Sequence, residues 1–258
     1  MCYEPSDRPP LPPVAGAAVQ GQELTLTSAD GTRFRAYGAR AEQPTGAGMV
    51  VLPDVRGLHP FYADLAERFA QAGIDAVAID YFGRTAGLTA RDDSFDFMAH
   101  VAQTRPETVS ADIASAVAHL RSAAGGAVRA VFTVGFCFGG SVSLLQAAEP
   151  HRLAGVVAFY GWPLGSPRRA NWPRPIDRVR SYTCPVLALF GGADEGIPPR
   201  DIAQFERALK EAGVEHEVVT YPGAPHSFFD RRQTEFAEAS ADAWRRVLAF
   251  VRRHTPGA

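Results

Sequence analysis

Val131-Phe132-Thr133-Val134-Gly135-Phe136-Cys137-Phe138-Gly139-Gly140 begins as an apolar, β-branched and aromatic run and passes without a break into a helical pattern over residues 139–148. A short all-apolar strand feeding straight into a helix is half of a βαβ crossover, and strands joined that way are buried on both faces. The same rhythm repeats on either side. Upstream it comprises an apolar run at 49–52, a helical pattern at 61–72 closed by Gly73, a strand at 75–79, a helix near 107–123 and the strand at 128–134. Downstream come strands at 153–160, 186–190 and 215–221, with helices at 199–212 and 234–253. Alternation of this kind makes the class α/β, a mostly parallel central sheet with helices on both faces. Residues 22–27 instead alternate at period two, turn at Asp30-Gly31 and resume over 32–37. That pattern predicts an N-terminal β-hairpin at the edge of the sheet.

Residues 1–16, with Pro5, Pro9, Pro10, Pro12 and Pro13, can build neither a helix interior nor a central strand and are expected to form an extended arm. Residues 17–258 contain no linker and no internal repeat, so one domain is expected there. The longest irregular stretch, 161–185, carries Trp162, Trp172 and the arginines 168, 169, 174, 178 and 180. A loop of that length in a compact domain is usually functional or mobile.

The chain has 258 residues, 28 acidic against 26 basic, for a net charge of −2, and 46% hydrophobic residues. That is enough apolar material for a sizeable core. Lys210 is the single lysine, so 25 of the 26 basic residues are arginine. Acids balance them along the chain, leaving no basic face for nucleic acid or anionic lipid. No run approaches the roughly 18 apolar residues of a membrane span, and the start lacks a signal-peptide pattern; a cytoplasmic protein is the expectation. Cys2, Cys137 and Cys184 are odd in number and lack CxxC spacing, which indicates neither a disulfide framework nor a zinc knuckle.

In open α/β sheets, ligands bind beyond the carboxyl ends of the strands. Three junctions there carry chemistry. Gly135-Phe136-Cys137-Phe138-Gly139-Gly140 has the spacing of a nucleophile elbow, in which flanking glycines let the chain turn so tightly that the central side chain stands above the sheet. At a helix N-terminus the thiolate form of Cys137 is favoured by the helix dipole. A cysteine that merely packs as a small hydrophobe needs no glycines on both sides. Asp194 follows the 186–190 strand, and His226 follows the 215–221 strand. An aspartate in a glycine-rich turn often only caps a helix, and a histidine beside proline is often only a loop residue. Together, in the chain order nucleophile, acid, base, they match the triad of α/β-hydrolases. Glu195 is adjacent, but Asp194 is the preferred acid. Cys184, before Pro185 and an apolar strand, reads as a buried structural thiol.

The elbow, the turn Gly191-Gly192-Ala193-Asp194-Glu195-Gly196-Ile197-Pro198 and the segment Tyr221-Pro222-Gly223-Ala224-Pro225-His226-Ser227-Phe228 resemble those of the dienelactone hydrolase (carboxymethylenebutenolidase) family. The resemblance runs from about Leu52 to the C-terminus. It implies an α/β-hydrolase fold and the triad Cys137, Asp194 and His226. It also implies an oxyanion hole from the N–H groups of Val55 and Phe138, an acidic residue near the thiol at Asp54, and a substrate-carboxylate arginine at Arg84 within Asp80-Tyr81-Phe82-Gly83-Arg84. Family members commonly have Glu where Asp54 stands. Their second arginine, four residues after the histidine, is Asp230 here, followed by Arg231 and Arg232, so that Arg231, or Arg232 beside it, is the expected replacement.

The activity expected is cleavage of a carboxylate-bearing ester or lactone through a thioester acyl-enzyme. A broad short-chain esterase or thioesterase, and a thiol sensor or non-catalytic ligand-binding protein built on Cys137, are the competing readings. The seven histidines show no HxH or HExxH spacing, and no strand is followed by a P-loop or GxGxxG. No metal and no cofactor are therefore expected. The expected partner is a small-molecule substrate, with the chain acting as a monomer or homodimer.

Overall fold

The computed structural model describes residues 19–91, 94–166, 169, 171–230 and 232–257. The expected arm at 1–16, Arg168 and Arg231 lie outside the described residues.

Period-two alternation builds β1 (Val19–Thr27) and β2 (Arg33–Ala41). They pair antiparallel from Thr27 opposite Arg33 to Val19 opposite Ala41. The hairpin is longer than the apolar alternation marks, because backbone pairing continues past it. Its turn is closed by Gly31 at φ 83° and by the Asp30 carboxylate, which accepts the Thr32 N–H at 3.0 Å. Thereafter the chain alternates through β3 (Ala47–Leu52), α1 (Pro60–Gln71), β4 (Ile74–Ile79), α2 (Gly83–Ala86), α3 (Phe97–Val101), α4 (Pro106–Arg121), β5 (Ala130–Phe136) and α5 (Phe138–Gln146). It ends with β6 (Gly155–Phe159), α6 (Pro175–Arg178), β7 (Val186–Gly191), α7 (Pro199–Glu211), β8 (His216–Tyr221) and α8 (Ala237–Arg253). Periodicity does not reveal α2, α3 or α6, each of four or five residues, because a single turn shows too little of a 3.6-residue repeat.

One eight-stranded sheet results, in the order β1-β2-β4-β3-β5-β6-β7-β8. From β4 to β8 every pairing is parallel; β2 is antiparallel to both its neighbours, so it alone runs against the other seven strands. Every residue of β3 to β7 is buried, as helices on both faces require. Edge strand β8 is mostly half-buried, which accounts for its mixed composition. The amphipathic helices cover the sheet with single stripes: α1 buries Phe61, Tyr62, Leu65, Ala66, Phe69 and Ala70. Each large side chain of that kind contributes roughly 1.5–3 kcal/mol. Among the described residues no helix is long and apolar enough to cross a membrane.

The strand order reverses around β3 and β5, where the chain first winds one way and then the other. A crevice forms at such a switch point, beyond the carboxyl ends of the strands. Leu52, the last residue of β3, pairs with Gly135 of β5, so the segment after β3 lies beside the elbow.

Candidate active site

Cys137 is the N-cap of α5 and adopts φ 55°, ψ −112°, a conformation that L-residues avoid. Its N–H donates to Phe159 O at 3.1 Å and its carbonyl accepts the Ser141 N–H at 3.2 Å, so the bend is clamped between β6 and the first turn of α5. Strain of this kind costs on the order of 1–3 kcal/mol and persists where the surroundings over-determine it. The glycines supply that surrounding. A Cβ on Gly135 would stand 1.9 Å from Gly139 O, and one on Gly139 would stand 2.1 Å from Leu52 O. The elbow spacing is thus a packing requirement of α5 lying against the ends of β3 and β5.

Asp194 follows β7, and its side chain is 2% exposed. One oxygen accepts the Gly196 N–H at 2.8 Å; the other lies 2.6 Å from His226 Nδ1. The aspartate therefore both closes its own turn and holds the imidazole. His226, in the loop after β8, is flanked by Tyr160 at 4.9 Å and Trp162 at 5.1 Å between ring centroids. Trp162 is itself fixed, its indole N–H donating to Gly196 O at 3.1 Å and its backbone N–H to Ser141 Oγ at 2.8 Å.

Cys137, Asp194 and His226 open onto one cleft of about 1520 Å³. Val55 and Phe138, the expected oxyanion donors, line it as well. Val55 sits in a tight turn after β3: the Asp54 carboxylate accepts the Arg56 N–H at 2.9 Å, and the Gly57 N–H reaches Asp54 O at 3.3 Å. Asp54 is fully buried and is not on the cleft wall. The structure therefore places it beneath the site, where it shapes the turn. Tyr81 lies close by, its hydroxyl donating to Pro53 O at 2.9 Å. Burial, with Asp54 and Asp80 adding negative potential, holds that phenol well above its usual range.

Arg84 is not brought to the cleft. Its guanidinium spans Asp112 at 2.6 Å, Asp30 at 3.0 Å and Ser28 Oγ at 3.0 Å, tying the hairpin turn to α4. Asp80 pairs instead with Arg91 at 2.8 Å, both side chains being almost wholly buried. Asp230 is fully buried and accepts the Tyr160 hydroxyl at 2.8 Å, so this position holds a buried carboxylate and offers the cleft no cation. Arg232 lines the cleft but is forked onto Glu235 at 2.6 and 2.9 Å.

Among the described residues, the arginine on the cleft wall without an acid partner is Arg169, from the long loop between β6 and β7. Its guanidinium lies 3.9 Å over the Phe138 ring, and Nη1 reaches Val101 O at 3.4 Å. Burial pushes its pKa down to about 10, while Cys137 and Tyr81 oppose the fall. Sequence reasoning singles out the loop but not this member, because nothing local separates one of its arginines from another. Trp172 lies beside Arg169 on the cleft wall and packs on Phe138 at 5.1 Å between centroids.

A model of the dienelactone hydrolase family matches residues 34–255. The chain is 30% identical to the carboxymethylenebutenolidase of Rhodococcus opacus, over 98% of this chain and 97% of that one. It is also 30% identical to a candidate carboxymethylenebutenolidase of Yersinia pestis, over 90% of this chain and 88% of the other. A solved Klebsiella pneumoniae structure described as a candidate dienelactone hydrolase superposes with a TM-score of 0.79 at 28% identity, covering 91% of this chain and 98% of that one. With the elbow, the switch-point cleft and the strand order, these likenesses make the fold that of the α/β-hydrolases, and the chain belongs to the dienelactone hydrolase family.

Proposed function

We propose that the protein cleaves an ester or lactone bond with Cys137 as nucleophile, through a thioester intermediate. The observation that carries this reading is the 2.6 Å contact between Asp194 and His226 Nδ1, opening onto the same cleft as a cysteine held at a strained elbow. With Nδ1 bound to the carboxylate, Nε2 is the nitrogen that exchanges protons.

The thiolate attacks the substrate carbonyl, forming the C–S bond and a tetrahedral oxyanion. The backbone N–H groups of Val55 and Phe138 receive that charge, each contributing about 3 kcal/mol on the scale of single-donor removals. Collapse breaks the C–O bond, and the leaving oxygen takes a proton from the imidazolium. Water then attacks the thioester while His226 accepts its proton, the C–S bond breaks, and the acid departs with the thiolate restored. Asp194 favours the charged imidazolium in both halves. A cation in the cleft wall supports a substrate bearing a carboxylate, with Arg169 in the part first expected of Arg84.

Turnover of p-nitrophenyl acetate tests the reading. Cys137→Ala is expected to lower kcat by about 10³-fold or more, and acid quenching of the wild type should trap an acetyl group on the peptide containing Cys137. Retention of rate by Cys137→Ala, or acetylation elsewhere, would remove the thiol from the mechanism.

A further inference from the structure

The cleft is larger than one small lactone requires. Its volume of about 1520 Å³ exceeds the roughly 300–1,000 Å³ of ordinary small-molecule pockets. Where the cleft meets α3 it is lined by Phe97, Met98, Val101 and Ala102, and Leu145 and Trp172 line it as well; none of these has a charged side chain. Met98 at its mouth is 56% exposed, and an unbranched thioether is a side chain suited to adaptable apolar contact. Arg169 stands between the elbow and this α3 side, since its head touches both Phe138 and the Val101 carbonyl. Among the described residues no carboxylate pairs with it, whereas Arg232, the other described arginine on the wall, is committed to Glu235. The Phe138 ring, the Val101 carbonyl and the neighbouring Cys137 offset part of the solvation that this half-buried guanidinium gives up, and a substrate anion would offset more of it. It offers a forked donor set to a planar carboxylate.

Resting on the hydrolase reading above, we infer that the substrate is amphipathic: a carboxylate close to the scissile carbonyl bound by Arg169, and an elongated apolar group lying along α3. Half-esters of short diacids with long alcohols have this chemistry. Arg169 is then specificity-determining, acting on the substrate anion, while the triad acts on the ester.

Four esters separate charge from length: monoethyl and monooctyl succinate, and the neutral ethyl and octyl butanoates, followed by titration of released acid. Monooctyl succinate should show the highest kcat/KM. Arg169→Gln should lower the succinate-to-butanoate ratio by about tenfold or more, the loss of one ion contact, and Arg169→Lys should restore part of it. Ala102→Trp, which adds bulk to the cleft wall at the end of α3, should lower the octyl-to-ethyl ratio similarly. Equal losses on all four esters in Arg169→Gln, or no preference for length in the wild type, would overturn the assignment while leaving the hydrolase reading intact. Binding is read independently in Cys137→Ala protein by calorimetry with N-octylsuccinamate, which keeps the carboxylate and replaces the ester by an amide, against neutral N-octylbutanamide. Tighter binding of the anion that is lost in Arg169→Gln supports the subsite even if no ester turns over. Equal binding of the two compounds refutes it.

Discussion

Cys137 and Cys184 are both largely hidden from solvent, yet their surroundings are opposite. Cys137 begins a helix at the wall of a cleft, beside a guanidinium. Cys184 precedes β7 among apolar side chains, and burial alone pushes its pKa up from 9.0 to about 12. A thiol whose folded pKa is raised favours folding fully below the unfolded value. That contribution declines as pH rises from about 9 towards 12, because there the unfolded chain releases a proton that the native chain retains. The stability difference between wild type and Cys184→Ala, read from urea midpoints, should therefore shrink between about pH 8 and pH 11. A difference independent of pH would mean that the thiol ionises as readily folded as unfolded. Reading Cys184 as structural needed only its apolar, proline-bounded neighbours, since burial follows from local hydrophobicity. The strain at Cys137 follows from neighbours in three different strands.

At the level of elements, the elbow is where β5 hands the chain to α5 while touching the end of β3. Gly139→Ala should lower stability by about 3–5 kcal/mol or prevent folding, because the new methyl would meet the Leu52 and Pro53 carbonyls at 2.1 and 2.3 Å, and backbone cannot move aside cheaply. Gly31→Ala is the comparison: at φ +83° it meets nothing within 4 Å and should cost only about 1–2 kcal/mol of backbone strain. Similar urea midpoints for the two variants would contradict this account. Arg84 joins the β1–β2 turn to α4 through Asp30 and Asp112. The Asp112 side chain is fully buried, and burial raises its pKa while Arg84 opposes the rise. Removing the arginine strands that charge, so Arg84→Gln should cost about 3 kcal/mol at neutral pH. The cost should lessen as pH falls and Asp112 takes up a proton. Its kcat/KM ratio for anionic over neutral esters should stay at the wild-type value; a fall in that ratio would return the substrate carboxylate to Arg84.

Across the whole molecule, the parallel strands β3, β5, β6 and β7 form the buried middle of the sheet, with β1 and β8 at its edges. Amides in the middle can exchange only through global opening, whereas edge strands fray locally. Hydrogen exchange followed by mass spectrometry should find peptides from β5 and β6 slowest and those from β1 faster by orders of magnitude; uniform exchange would argue against this division. What the sequence by itself determined was the succession of strands and helices, the glycine-framed elbow, and the placing of Cys137, Asp194 and His226 just past strand ends. Each depends on side-chain patterning or turn chemistry within a few neighbouring residues. Only the tertiary structure decided that Arg84 is held away from the cleft while Arg169 lies on its wall. Arg84 is taken by acids 28 and 54 residues away and Asp80 by Arg91, while Arg169 is left over the Phe138 ring. A long flexible cation is claimed by whatever charge or ring the fold brings within reach, and sequence spacing carries no record of that distance.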